Sequence, residues 1–221
     1  MKYLYLFFFS VSIYSQSKAV DLKIISLTEI DSTNERAFTV KYSITNKTDK
    51  TIHFILNPDN LIPVSSGSMN TSVYYKLYEN EMSFDISGIF TGKRETRYFK
   101  DDEEAKNFMD SIKSATKNRT PESILQESKK NILKNILELK PDETKEYSST
   151  FHWNKNRYFK NDVMEYYIDE KEPHYYELHI NLMKEVLLSK FSEEEKEEIL
   201  KNRNFVKGWF TSNKVEINFR E

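Results

Sequence analysis

Cysteine is absent from the 221 residues. That absence excludes disulfides, thiolate metal sites, a cysteine nucleophile and a lipid-modified N-terminal cysteine. Glycine is nearly as scarce: Gly67, Gly88, Gly92 and Gly208 are too scattered to form a phosphate-cradling loop. Neither sign of charge dominates. Lys and Arg number 33 against 35 Asp and Glu, a formal charge of −2, without the basic surplus that nucleic acid or an anionic membrane surface would attract. No apolar run reaches the ~20 residues that span a bilayer.

What is present begins with an export pattern. Lys2 precedes an unbroken apolar run, Tyr3 to Phe9, and a softer stretch ends at Ser15. A charged start, a short hydrophobic middle and a small terminal residue make a secretory signal. Residues 1–15 therefore read as a signal peptide cleaved between Ser15 and Gln16. The expected location is the periplasm or the exterior, with no membrane anchor. Residues 16–221 are long enough to bury a core without disulfides and read as a single domain.

Period-2 alternation dominates the chain. Phe38, Val40, Tyr42 and Ile44 alternate with polar neighbours through Arg36–Asn46, as a half-buried strand requires. A polar turn, Asn46–Lys50, leads to Thr51–Leu56, so the two runs read as a hairpin with Val20–Ile30 pairing beside it. Asn57–Asn60 and Pro63–Asn70 have loop composition. Ser72–Tyr78, Met82–Phe90, Lys145–Trp153, His174–Leu182, Phe205–Phe210 and Lys214–Phe219 are the further strand candidates, with Tyr176, Leu178, Ile180 and Leu182 on one face of the fourth. With so few glycines, Asn and Asp are expected at positive-φ turn positions.

Helical spacing appears from Asp102 to Lys113, with acidic residues in the first turn where the dipole favours them. A second helix starts at Thr120-Pro121, with Thr at the N-cap and Pro at the first helical position. Ile136–Leu139 fits either a last helical turn or a short strand before Pro141, and the alternating run that follows favours the strand. Asn154–Pro173 reads as a long loop with one helical turn at Asp162–Tyr167. Ser192–Glu195 is a capping box opening a short helix through Asn202. The fold class expected is mainly β with a helical insertion (α+β). The architecture expected is an antiparallel immunoglobulin-like β-sandwich with helices near 102–134 and 192–202, the insertion covering about 101–134.

Three patches carry a resemblance. Phe38–Thr48 resembles the strand-then-turn of bacterial immunoglobulin-like sandwich domains, including the proteinase-inhibitor-like group. Leu139-Lys140-Pro141-Asp142-Glu143-Thr144 resembles the L-x-P-G-E-T turn of those domains, with Asp142 in place of the usual glycine. Gly208–Val215 resembles the last hairpin of similar exported domains. The resemblance implies a sandwich and no particular activity, and no position matches the group's inhibitory loop.

Chemistry is harder to find. His53, His152, His174 and His179 are the only histidines, none at zinc-site spacing, and the five-residue step from His174 to His179 puts them on opposite faces of one strand. The acidic clusters Asp101–Glu104 and Glu193–Glu198 coincide with helix starts and lack the calcium-loop pattern. No G-x-S-x-G occurs. No catalytic residue, metal ligand or cofactor is assigned.

The stretch Trp153–Tyr176 sets aromatics among polar residues, which suits contact with a protein or glycan of the envelope. Trp153, Tyr158, Tyr166, Tyr167 and Tyr175 are the candidate binding residues. The same rings equally suit covering the open end of a sandwich. The functional expectation is an exported non-enzymatic binding or structural module. Two alternatives stay open: a carboxylate-dependent enzyme acting on envelope glycans or peptides, and an inhibitor or immunity-like protein acting through the 154–173 loop.

Overall fold

A computed structural model describes residues 19–33, 35–64, 71–84, 90–91, 100–117, 119–155, 159–161, 164–166, 168–169 and 171–220. The expected signal peptide lies outside them. Among the described residues the protein is mainly β with four helices, an α+β fold that closes into no barrel.

The first sheet has the order β1 (Val20–Asp31), β2 (Glu35–Asn46), β9 (Thr144–Asn154) and β7 (Phe90–Thr91), all antiparallel. The second centres on β12 (His174–Asn181) and β5 (Ser72–Glu79), with β4 (Asn57–Pro63) parallel to β5 and β6 (Met82–Phe84) antiparallel to it. The alternating residues foreseen for β2 and β12 are the core residues. Phe38, Val40, Tyr42 and Ile44 meet Tyr176, Leu178 and Ile180 in one buried cluster fed by both sheets. Its centre is aromatic: the Phe151 ring stacks on Tyr176 at 5.1 Å and meets Phe90 edge-on at 4.6 Å.

Several expectations fail on partner choice. β2 and β3 (Ile52–Ile55) form no hairpin; β3 pairs with β8 (Ile136–Leu139) in a separate two-stranded sheet. The cause is Asn46, fully buried, whose amide donates to the carbonyls of Lys50, Leu139 and Lys140 while its oxygen accepts from Thr48 N–H. This ties the turn to the end of β8 and directs the chain across rather than back. Asn57–Asn60, expected as loop, opens β4, where prolines fit because it is an edge strand with irregular register. Met82–Phe90 supplies two strands, β6 and β7, that join opposite sheets. Within the expected 154–173 loop, β10 (Phe159–Asn161) pairs with β11 (Met164–Tyr166), so 164–166 is strand rather than helical turn.

β13 (Trp209–Thr211) and β14 (Val215–Ile217) do not form the expected final hairpin either. Both pair with β12, one after the other along the same edge. Between them Ser212 accepts from Leu178 N–H through its hydroxyl and donates its own N–H to Leu178 O. Asn213 then reaches the other sheet, accepting from Ile24 N–H at 2.9 Å and donating to Ile24 O. Its side chain replaces a missing neighbour strand at the bulge of β1, capping part of an edge that would otherwise recruit another chain.

Local signals are obeyed closely. Thr120 caps α2 (Pro121–Lys134) in a reciprocal box with Ser123, and Ser192 caps α4 (Glu193–Leu200) with Glu195. Asn80, Asp142 and Asn202 take positive φ, so Asp142 adopts the glycine-like conformation its turn demands. α1 (Asp102–Lys117) lies largely in solvent, while α2 buries Ile132 in a second cluster with Ile55, Leu187, Leu188, Phe191 and Ile199. Leu187 and Leu188 belong to α3 (Lys184–Leu188), a short helix without a sequence signature.

Candidate functional site

Residues 175, 177, 179 and 181 of β12 alternate with the core set and turn to the outer face of the second sheet. Register sets Tyr175 opposite Tyr78, Glu177 opposite Lys76 and His179 opposite Tyr74, while Thr211 flanks His179 from β13. Glu177, His179 and Tyr74 are buried on this face rather than solvated.

They form one connected chain. The Tyr78 hydroxyl donates to Glu177 Oε2 at 2.6 Å. His179 Nε2 lies 2.9 Å from that same oxygen. On the other side of the ring, Trp209 Nε1 donates to His179 Nδ1 at 3.1 Å, and Thr211 Oγ1 is also at 3.1 Å. An indole N–H only donates, so Nδ1 is the acceptor, the Thr211 hydroxyl also donates, and the ring proton sits on Nε2, close to Glu177 but out of line for a hydrogen bond to it. Trp209 stacks on Tyr74 with centroids 5.8 Å apart and planes 25° off parallel. Lys214 Nζ lies 3.6 Å from the Tyr78 ring centroid, a close cation–π contact.

Gly208 sets the direction of Trp209. Its φ of 145° is strained for any other residue, and a Cβ there would come within 3.2 Å of the Phe210 ring. Phe210 points into the core while Trp209 remains 49% exposed. The result is a half-exposed indole that is immobilised by a ring stack and a hydrogen bond.

Of the residues singled out in the sequence, Tyr175 lies half-buried on this face. Trp153 does not: it is 4% exposed and packs edge-on against Phe219 at 4.9 Å, with the Arg36 guanidinium over its ring. It is a core residue and presents no surface to a ligand. Tyr166 pairs with Phe159 through the β10–β11 backbone, and Tyr158 and Tyr167 lie outside the described residues. Trp209, Tyr74, Tyr78, Glu177 and His179 carried no motif. The available signal was the odd-numbered face of β12, where Tyr, Glu, His and Asn follow one another two residues apart.

The four histidines are dispersed rather than gathered into one cluster. Each lies within 3.5 Å of one glutamate: His53 with Glu138, His152 with Glu35, His174 with Glu79 and His179 with Glu177. His174 faces the core against Phe219 and His179 faces out, as their spacing required. Among the described residues no group of three or more His, Asp and Glu could hold a metal ion. Hollows of about 500 and 620 Å³ flank α4, but their carboxylates, Glu194, Glu195, Glu197 and Glu198, all come from that one helix. They do not oppose one another across the opening as a glycosidase pair must.

No helix among the described residues is long and apolar enough to cross a membrane. Comparison with protein-family models, with curated proteins and with solved structures finds no match to this chain.

Proposed function

We propose that this protein is an exported, non-enzymatic binding module built on an immunoglobulin-like β-sandwich, with the Trp209 face as its binding surface. The observation that carries the reading is the held indole. A ring whose stack and hydrogen bond are already made loses little freedom on meeting a partner, which is how aromatic contact residues gain affinity. Export is supported by Lys2 and the apolar run behind it. The sandwich is supported by two sheets sharing one core, with antiparallel pairing throughout the first. His179 supports a binding rather than catalytic role, because both of its ring nitrogens face protein partners and neither is offered to a substrate.

Native mass spectrometry of the protein recovered from the envelope fraction of its own cells tests this. Retention of a protein or glycan is expected. Recovery of ligand-free protein that hydrolyses envelope polymers would overturn the reading.

A further inference from the structure

We infer that His179 is a proton switch beneath Trp209: the neutral ring holds the indole, and a second proton on the ring releases it. The switch is built into the chain and needs no partner. Only its consequence, weaker partner binding in acid, rests on the binding-face reading above.

The geometry at Nδ1 carries the inference. The Trp209 indole N–H and the Thr211 hydroxyl both meet that atom at 3.1 Å. An indole N–H cannot accept, so its bond exists only while Nδ1 keeps a lone pair. A proton on Nδ1 sets two N–H groups head to head. Thr211 can adapt, because a hydroxyl turns and accepts from the new Nδ1–H. The indole has no acceptor to turn and must give way. The positive charge gained by the ring is met by the Glu177 carboxylate, whose Oε2 lies 2.9 Å from Nε2. The stack on Tyr74 then holds the indole without the bond that fixes its angle.

The described groups on every neighbouring strand leave His179 as the switching group. On β12 the charged neighbour is Glu177, which adjoins Nε2 rather than Nδ1, so its own protonation does not block the indole bond. β5 sets Tyr74 opposite His179, Lys76 opposite Glu177 and Tyr78 opposite Tyr175. β13 brings Trp209 and Thr211, neither of them ionisable in this range. β14 places Lys214 over the Tyr78 ring and Glu216 opposite Tyr175. β4 and β6 add only neutral neighbours here, Ile62 beside Tyr74 and Ser83 beside Tyr78.

Nitrogen and proton NMR of the labelled protein tests this, scanned from about pH 8 to about pH 4.5, the range that brackets ordinary histidine titration. The His179 Nδ1 resonance should begin as an unprotonated acceptor and move to the protonated position. The Trp209 indole proton should shift upfield with the same midpoint, while the indole of buried Trp153 stays where it is. His179→Gln, whose amide oxygen can accept but does not titrate, should abolish the Trp209 step; should that variant not fold, the coincidence of the two midpoints in the unaltered protein decides. A Trp209 indole that stays fixed while His179 Nδ1 is protonated overturns the proposal. So does an Nδ1 that remains unprotonated throughout, an indole step that follows Glu177 with the ring nitrogens unmoved, or a step shared by Trp153, which reports unfolding. Such a failure removes only the switch, because no partner enters the measurement. A working switch in a protein that retains no partner would remove the binding module instead.

Discussion

Arg36 is 2% exposed, and its loss should be among the costliest single changes away from the aromatic core. The guanidinium is held on three sides. It donates through Nε and one terminal nitrogen to the two oxygens of Asp31, and through its terminal nitrogens to the carbonyls of Asn218 at 2.7 Å and Arg220 at 2.8 Å. It thus fastens the last segment, including buried Phe219, onto β2. Arg36→Met keeps most of the volume and deletes every one of these bonds. Breaking a buried ion pair from one side costs roughly 3–5 kcal/mol. Asp31 is half in water and re-solvates, so the expected loss lies near the lower end, about 3 kcal/mol. For a chain of this size that lowers Tm by roughly 6–12 °C. Urea unfolding followed by tryptophan emission measures it, and amide exchange should show residues 218–220 losing protection first. A loss below about 1 kcal/mol would mean that the cluster behaves as an ordinary solvated pair, and would refute the clamp.

The same cluster predicts a pH dependence. The Arg36 hydrogen bond, assisted by Lys155, brings the Asp31 carboxyl down from 3.8 to about 2 despite partial desolvation. A carboxyl depressed in the folded state stabilises above its unfolded pKa and loses that contribution as pH falls from about 4 toward 2. Asp31→Asn should therefore flatten the acid limb of the stability profile in that window, and an unchanged limb would contradict the assignment. Tyr176→Phe should raise stability by about 1 kcal/mol in the same urea assay, because the Tyr176 hydroxyl is buried without a hydrogen-bond partner. Asn213→Ala should cost about 1–2 kcal/mol by leaving both backbone groups of Ile24 unbonded, with a rise in self-association measurable by analytical ultracentrifugation. Gly208→Ala should destabilise by at least about 1 kcal/mol through its strained φ and the Phe210 contact, and should increase acrylamide access to Trp209.

What the sequence displays and what it hides divide along a physical line. A half-buried strand writes its burial into the chain every second residue, so the core faces of β2 and β12 were legible. Helix caps are equally local, and Thr120 and Ser192 act where their patterns place them. Asp142 takes positive φ because the turn allows little else. Pairing is different, since the identity of a neighbour is a property of two distant segments. β3 meets β8 because buried Asn46 binds carbonyls more than ninety residues away, and no window around Asn46 contains that fact. The two tryptophans show the same limit at the candidate site. Both stand at odd positions in strands, yet Trp153 faces Phe219 and Trp209 faces water, because packing across the sheets decides which ring is covered. The pairing of His179 with Glu177 was implicit in the alternation of β12, but its closure by Trp209 required β13 to lie alongside.

The central claim is that the face around Trp209 meets a partner in the envelope. Site-specific photo-crosslinking in the source cells tests it most directly, with a photoreactive aromatic residue replacing exposed Lys207 beside Trp209 and, as reference, Ile30 on the far end of β1. The account predicts a discrete covalent adduct from position 207 and none from position 30. Equal labelling from both positions, or none from 207, would contradict it.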